Sequence, residues 1–116
     1  MTSPTVAVVM CTYNGEKYLR QQLDSILAQT YPIQELIVQD DCSTDATLAI
    51  LQEYEAKVPF IQVIENTHNL GFNLNFKTAC MRATADLIAI SDQDDVWMPE
   101  KIQKQVQAIG DYNLCF

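Results

Sequence analysis

Four short apolar runs, rich in β-branched residues, recur along this chain, and between them lie stretches whose apolar residues repeat at helical spacing. The runs are Val6-Ala7-Val8-Val9-Met10, Leu36-Ile37-Val38, Phe60-Ile61-Gln62-Val63-Ile64 and Leu87-Ile88-Ala89-Ile90. Short runs with little polar alternation predict strands covered on both faces. The stretches between them predict helices. Leu19, Leu23, Ile26, Leu27 and Thr30 fall on one stripe, with Pro32 just past its stop. Ser43, Thr44 and Asp45 offer N-caps for a second helix that carries Leu48, Leu51 and Tyr54. After Asn69-Leu70-Gly71, a third stripe holds Phe72, Phe76, Ala79, Cys80 and Ala83. Pro99 suits the first turn of a fourth helix burying Ile102, Val106 and Ile109, and Leu114-Cys115-Phe116 reads as a fifth strand cut short.

This β-α alternation predicts an α/β fold: a mostly parallel, Rossmann-like sheet with helices on both faces. At 116 residues the chain forms one domain. Ligands of such sheets bind beyond the carboxyl ends of the strands, where strand order reverses, so functional polar residues are expected directly after strands.

Two acidic segments stand there. The second strand runs into Asp40-Asp41, the fourth into Ser91-Asp92-Gln93-Asp94-Asp95. Clustered carboxylates repel one another and persist where a cation neutralises them, where backbone amides satisfy them, or where water solvates them. Asp92, Asp94 and Asp95 can equally be turn and cap residues before the fourth helix, and Asp40-Asp41 can serve the cap of the second. Magnesium and manganese take oxygen ligands, commonly one or two carboxylates plus substrate phosphates. A metal at an Asp-x-Asp loop would reconcile a phosphate ligand with a net charge of -8. The same charge argues against nucleic acid as a partner.

Other features exclude more than they assign. Cys11, Cys42, Cys80 and Cys115 form no C-x-x-C pair, which fits free thiols in a reducing cytosol. The N-terminus has no basic and apolar leader, and no apolar run approaches membrane-span length, which predicts a soluble or peripheral protein. No G-x-G-x-x-G or P-loop pattern occurs. His68, the only histidine, has no placed partner and reads as an exposed or structural loop residue.

The segment Val8-Val9-Met10-Cys11-Thr12-Tyr13-Asn14-Gly15-Glu16-Lys17-Tyr18-Leu19 resembles the opening of the family 2 glycosyltransferases of GT-A fold. The likeness continues in family order through Ser25–Pro32, Glu35–Asp45, Asn69-Leu70-Gly71 and Ser91–Pro99. Gly71-Phe72, Asn75-Phe76 and the Asp-Gln-Asp-Asp-Val-Trp segment are most similar to a bacterial rhamnosyltransferase-like subset. The resemblance implies a nucleotide-diphospho-sugar transferase fold and transfer of a sugar, with inversion, from a nucleoside diphosphate-sugar to a glycan or lipid-linked acceptor in polysaccharide biosynthesis. It implies donor-binding roles for Cys11, Thr12, Tyr13, Asp41 and Asp92. Tyr13 would stack on the base and Asp41 accept its ring N–H. Asp94, with Asp92, would hold manganese or magnesium at the diphosphate, and Asp95 would serve the loop's own hydrogen bonds. The implied location is cytoplasmic, or peripheral to the inner face of the membrane.

Three departures stand out. Cys42 replaces the usual glycine, so the turn there must avoid positive φ or accept strain. Phe76-Lys77 stands where many members have Arg-Asn. The family's catalytic base, an acid well past the Asp-x-Asp, has no counterpart up to Phe116, so residues 1–116 are expected to be the nucleotide-sugar-binding part, truncated before the base and acceptor pocket, and inactive alone. A receiver-like magnesium-binding signalling domain, an Asp-nucleophile phosphohydrolase and a non-catalytic nucleotide-sugar-binding module share the α/β alternation with acidic strand ends.

Overall fold

A computed structural model describes residues 4–91 and 96–112, residues 109–112 by backbone only. The order is β1 (Val6–Thr12), α1 (Glu16–Leu27), β2 (Glu35–Asp40), α2 (Thr47–Lys57), β3 (Ile61–Glu65), α3 (Phe72–Cys80), β4 (Leu87–Ser91) and α4 (Lys101–Tyr112). The four strands form one parallel sheet in the order β3-β2-β1-β4. β1 therefore sits between β2 and β4, and strand order reverses beside it.

Right-handed crossovers explain which face each helix takes. The chain steps from β1 to β2 to β3 in one direction, so α1 and α2 share a face. It then crosses back to β4, and that reversal puts α3 on the other face. Strand side chains alternate accordingly. Val6, Val8, Met10, Leu36, Val38 and Ala89 pack with Leu19, Leu23, Ile26, Leu51 and Ile102 in the larger core. Val9, Cys11 and Ile37 pack with Ala79 in a smaller core beneath α3, bordered by Phe76, Cys80 and Ala83.

Most elements match expectation within two residues, and the offsets have local causes. α2 begins at Thr47, and just ahead of it the Asp45 carboxylate accepts from the Thr47 N–H (2.9 Å) and hydroxyl. α3 ends at Cys80, and Ala83 packs from beyond it. Pro99 precedes α4 instead of opening it, and its carbonyl accepts the Thr30 N–H at 2.9 Å. Gln29, two residues past α1, holds this junction: its Nε2 donates to the Met98 carbonyl (2.7 Å) and its Oε1 accepts from the Ile102 N–H (3.0 Å). Trp97 is buried in the larger core, a packing residue. The side chain of Ile109 and the fifth strand at 114–116 lie outside the described residues.

Candidate functional site

At the carboxyl ends of β1 and β2 the two strand exits are tied together. Thr12 pairs with Asp40 across the sheet, and its hydroxyl donates to Asp40 Oδ1 at 2.7 Å in a fully buried contact. Ser43 supplies the remaining donors to Asp40, its hydroxyl to Oδ1 (2.6 Å) and its N–H to Oδ2 (2.9 Å). The turn after β1 is locked to the turn after β2: Asn14 Oδ1 accepts the Thr44 N–H at 2.8 Å, and the Asn14 and Gly15 N–H groups donate to Ser43 Oγ and Thr47 Oγ1, each at 2.9 Å. Two non-glycine residues adopt left-handed conformations to make these turns, Asn14 at φ 49 and Cys42 at φ 63. Cys42 thus accepts the strain that its place in the turn imposes. Its thiol donates to the Asn66 carbonyl at 3.2 Å.

Asp41 is the second anchor. Its Oδ1 accepts from the Leu70 N–H (2.7 Å) and from Asn66 Nδ2 (3.0 Å), and its Oδ2 from the Gly71 N–H (3.1 Å). Its carbonyl accepts from Asn69 Nδ2 at 2.8 Å. Burial would raise the carboxyl's pKa, yet the donors from Leu70, Asn66, Gly71 and Asn69 outweigh it and hold the group below the usual carboxylate range. Asn66 in turn donates to Asn75 Oδ1 (2.8 Å) and accepts from Gln39 Nε2 (3.0 Å), while Asn75 Nδ2 donates to the Gln39 carbonyl (3.1 Å). A buried polar network therefore runs from β2 through the loop after β3 into α3. Hydrogen-bond donors thus satisfy both carboxylates of the first acidic pair.

Above Asp41 opens a cleft of about 560 Å³. Cys11, Thr12, Tyr13 and Asp41, expected from sequence to act together, all line it. Asn69, Gly71, Phe72 and Asn75, from the loop before α3 and its first turn, line it too. Tyr13 and Phe72 are 50% and 67% exposed, so two aromatic rings face open space around a carboxylate that is 8% exposed. Gly71, at φ 84 with a free path for a Cβ, is required by its backbone conformation, and it supplies the turn that starts α3. Sequence reasoning quoted Asn69-Leu70-Gly71 and Phe72 without giving them a place in the site. Their position directly after the third strand was the available signal.

Asp92, Asp94 and Asp95 lie outside the described residues. Ser91, just before them, is buried, pairs with Met10 of β1 and accepts from Gln22 Nε2 at 2.9 Å. Among the described residues no group of three His, Cys, Asp or Glu side chains is gathered to hold a metal. His68 is exposed, its Nδ1 3.2 Å from Thr67 Oγ1. Lys77 is exposed on α3, and Phe76 is half-buried against the smaller core. Cys42 and Cys80 are free thiols, and Cys11 is buried. No described helix is long and apolar enough to cross a membrane.

Comparison with known proteins agrees with this geometry. Residues 7–115 match the profile of Glycosyl transferase family 2. TuaG of Bacillus subtilis is 35% identical over 113 residues, covering 97% of this chain and 45% of TuaG. An uncharacterized glycosyltransferase of Haemophilus influenzae is 40% identical over 105 residues, 89% of this chain and 32% of that protein. The chain spans less than half the length of these relatives. Among solved structures, S. aureus TarS in complex with UDP superposes with a TM-score of 0.83 at 30% identity, over 94% of this chain and 33% of that one. The Pyrobaculum calidifontis mannosyltransferase PcManGT, in complex with GDP-Man and Mn2+, superposes with a TM-score of 0.75 at 30% identity, over 84% of this chain and 29% of that one. The sheet is thus the Rossmann-like sheet of the GT-A fold, and the chain belongs to Glycosyl transferase family 2.

Proposed function

We propose that residues 1–116 are the nucleotide-sugar-binding part of an inverting glycosyltransferase, and that the cleft beside Asp41 receives the base and ribose of a nucleoside diphosphate-sugar. The observation that carries this reading is the gathering of Cys11, Thr12, Tyr13 and Asp41 around one cleft at the point where strand order reverses. The complexes of TarS with UDP and of PcManGT with GDP-Man support it. Asp41, held ionised, is an acceptor only. It fits a base that presents a ring N–H, as uracil, thymine and guanine do, and repels cytosine and adenine, whose corresponding nitrogen is itself an acceptor. Tyr13 supplies a flat face for stacking.

Asp94 and Asp92 would hold a divalent cation at the diphosphate, with Asp92 also near the ribose; the donor set, carboxylate oxygens on one loop, suits magnesium or manganese. When bound, such a cation neutralises charge on the departing diphosphate. The described residues contribute binding and orientation. Asp41 is the only described acid lining the cleft and in this reading faces the nucleobase, so the base that deprotonates the acceptor is not among those lining residues. The acceptor in this reading is a glycan or lipid-linked saccharide, for which TuaG's name, tied to teichuronic acid biosynthesis, is the supporting likeness. Resemblance of the segment from Gly71-Phe72 through Asn75-Phe76 to a rhamnosyltransferase-like subset supports a rhamnosyl donor, and the family likeness supports a cytoplasmic or membrane-peripheral site of action.

Calorimetry of the chain against UDP, TDP, GDP, CDP and ADP, with and without manganese, tests the reading. Binding restricted to the first three, strengthened by manganese, is the expected result. Equal binding of CDP, or none of any nucleotide, would overturn it.

A further inference from the structure

Phe72 is an apolar ring left two-thirds exposed at the first residue of α3, yet its backbone and ring both have defined supports. Its backbone leaves the loop that Asp41 grips three times, through Asn69 Nδ2, the Leu70 N–H and the Gly71 N–H. Gly71, in a conformation open essentially to glycine alone, sets the direction in which α3 departs. The ring itself is braced edge-on by Phe76, with centroids 4.8 Å apart and planes at 67°. Phe76 is fixed in turn against the smaller core. A side chain that only filled surface would need none of this bracing. Phe72 also shares its cleft with Tyr13 and with the Asp41 carboxylate, so one cavity presents two aromatic faces and one hydrogen-bond acceptor.

From this juxtaposition we propose that Phe72 is a base-contacting residue: it adds a second aromatic wall to the cleft that Tyr13 lines, and sets selectivity for a planar ring whose edge reaches Asp41. This inference rests on the donor-binding reading above and deepens it. A planar heterocycle is the occupant that matches the cleft best, because it offers flat faces to both rings and a polar edge to the carboxylate between them. A pyranose offers apolar patches but no ring N–H for Asp41. Base stacking on an aromatic side chain is worth roughly 1–3 kcal/mol by alanine substitution, so loss of one wall corresponds to a weakening of about 5- to 150-fold.

The test compares wild type with Phe72→Ala and Phe72→Trp by calorimetry against UMP, UDP and inorganic pyrophosphate, the last with manganese. Saturation-transfer NMR on bound UMP reports which protons lie against the protein. Phe72→Ala is expected to weaken UMP and UDP alike, by about tenfold, to leave pyrophosphate unchanged, and to reduce transfer to the uracil protons relative to the ribose protons. Phe72→Trp is expected to retain or tighten binding. Thermal melting of Phe72→Ala close to wild type would show that the fold is intact. Unchanged UMP and UDP affinity in a folded Phe72→Ala would overturn the inference while leaving the donor-binding reading in place. A loss confined to nucleotide-sugars, absent with UMP, would assign the ring to the sugar and also overturn it. A wild-type chain that binds neither UMP nor UDP, nor the thymidine and guanosine nucleotides, would remove the donor-binding reading and this inference together.

Discussion

The N–H of Leu70 donates to Asp41 Oδ1 at 2.7 Å, the shortest of the bonds by which one carboxylate at the end of β2 organises a loop 29 residues away. Replacing Asp41 by Asn sets an amide NH₂ against N–H donors that need an acceptor. Asp41→Asn is expected to lower stability by about 1–3 kcal/mol in urea denaturation and to abolish binding of uridine nucleotides. Asp41→Ala should cost at least as much stability, because it leaves the same donors unpaired.

The same group makes a pH prediction. Its folded-state pKa is depressed by the donors, which outweigh burial, so the unfolded chain binds more protons in the window between the two pKa values. Asp41's contribution to stability is therefore complete above the ordinary carboxylate range and is lost as pH falls through its depressed folded value. Asp45, depressed by its bonds to Thr47 against the opposing effect of burial, adds to the same slope. Urea midpoints followed down through the acid range should fall less steeply in Asp41→Asn than in wild type.

Thr12 and Asp40 form the buried tie between β1 and β2, and both Asp40 carboxylate oxygens accept from Thr12 or Ser43. Thr12→Val keeps the shape and removes one donor to a buried charge. The expected loss is about 1.5–3 kcal/mol, and it should exceed that of Thr44→Val, an exposed position, in the same denaturation series.

Backbone strain gives two opposite expectations. Cys42→Gly relieves a left-handed conformation at φ 63 while loosening the unfolded chain, for a net gain of about 0.5 kcal/mol. Gly71→Ala does the reverse: no atom lies within 4 Å of the added Cβ, so the cost, about 1–3 kcal/mol, comes from the backbone alone. Thermal melts of the two variants should move in opposite directions. In Gly71→Ala uridine nucleotide binding should weaken too, since the loop that holds Asp41 and Phe72 shifts.

Asp94→Asn and Asp92→Asn test the metal. With UDP, the manganese-dependent gain in affinity should vanish in Asp94→Asn, while affinity for uridine, which carries no phosphate, should stay near wild type. A retained manganese effect in both variants would count against ligation by this loop.

Periodicity made the scaffold legible. Short apolar runs and helical stripes located β1 to β4 and α1 to α4 within a few residues, because burial on both faces of a parallel sheet writes itself into composition. Position after a strand likewise singled out Asp40 and Asp41, and the family resemblance added Cys11, Thr12 and Tyr13. Family membership then set aside the receiver-like and phosphohydrolase readings that the bare alternation left open. What stayed hidden depended on partners distant in sequence. Nothing in Asn66 or Asn75 alone announces that they bond each other while Asn66 holds Asp41, and nothing in Asp40-Asp41 announces which distant donors satisfy them. The strain at Cys42 was legible as an alternative, and the observed φ selects the strained branch.

Because β4 closes onto β1, residues as far apart as Thr5 and Asp86, 81 positions along the chain, must meet before the central strand has both neighbours. During synthesis from the N-terminus, β1 therefore waits with one bare edge while three helices and two further strands emerge. Such long-range pairing is slow to form and leaves a strand edge open to misassociation in the interval. Nascent chains halted after residue 80 should be sticky and protease-sensitive, and those extended past residue 91 should acquire protection in a single late step.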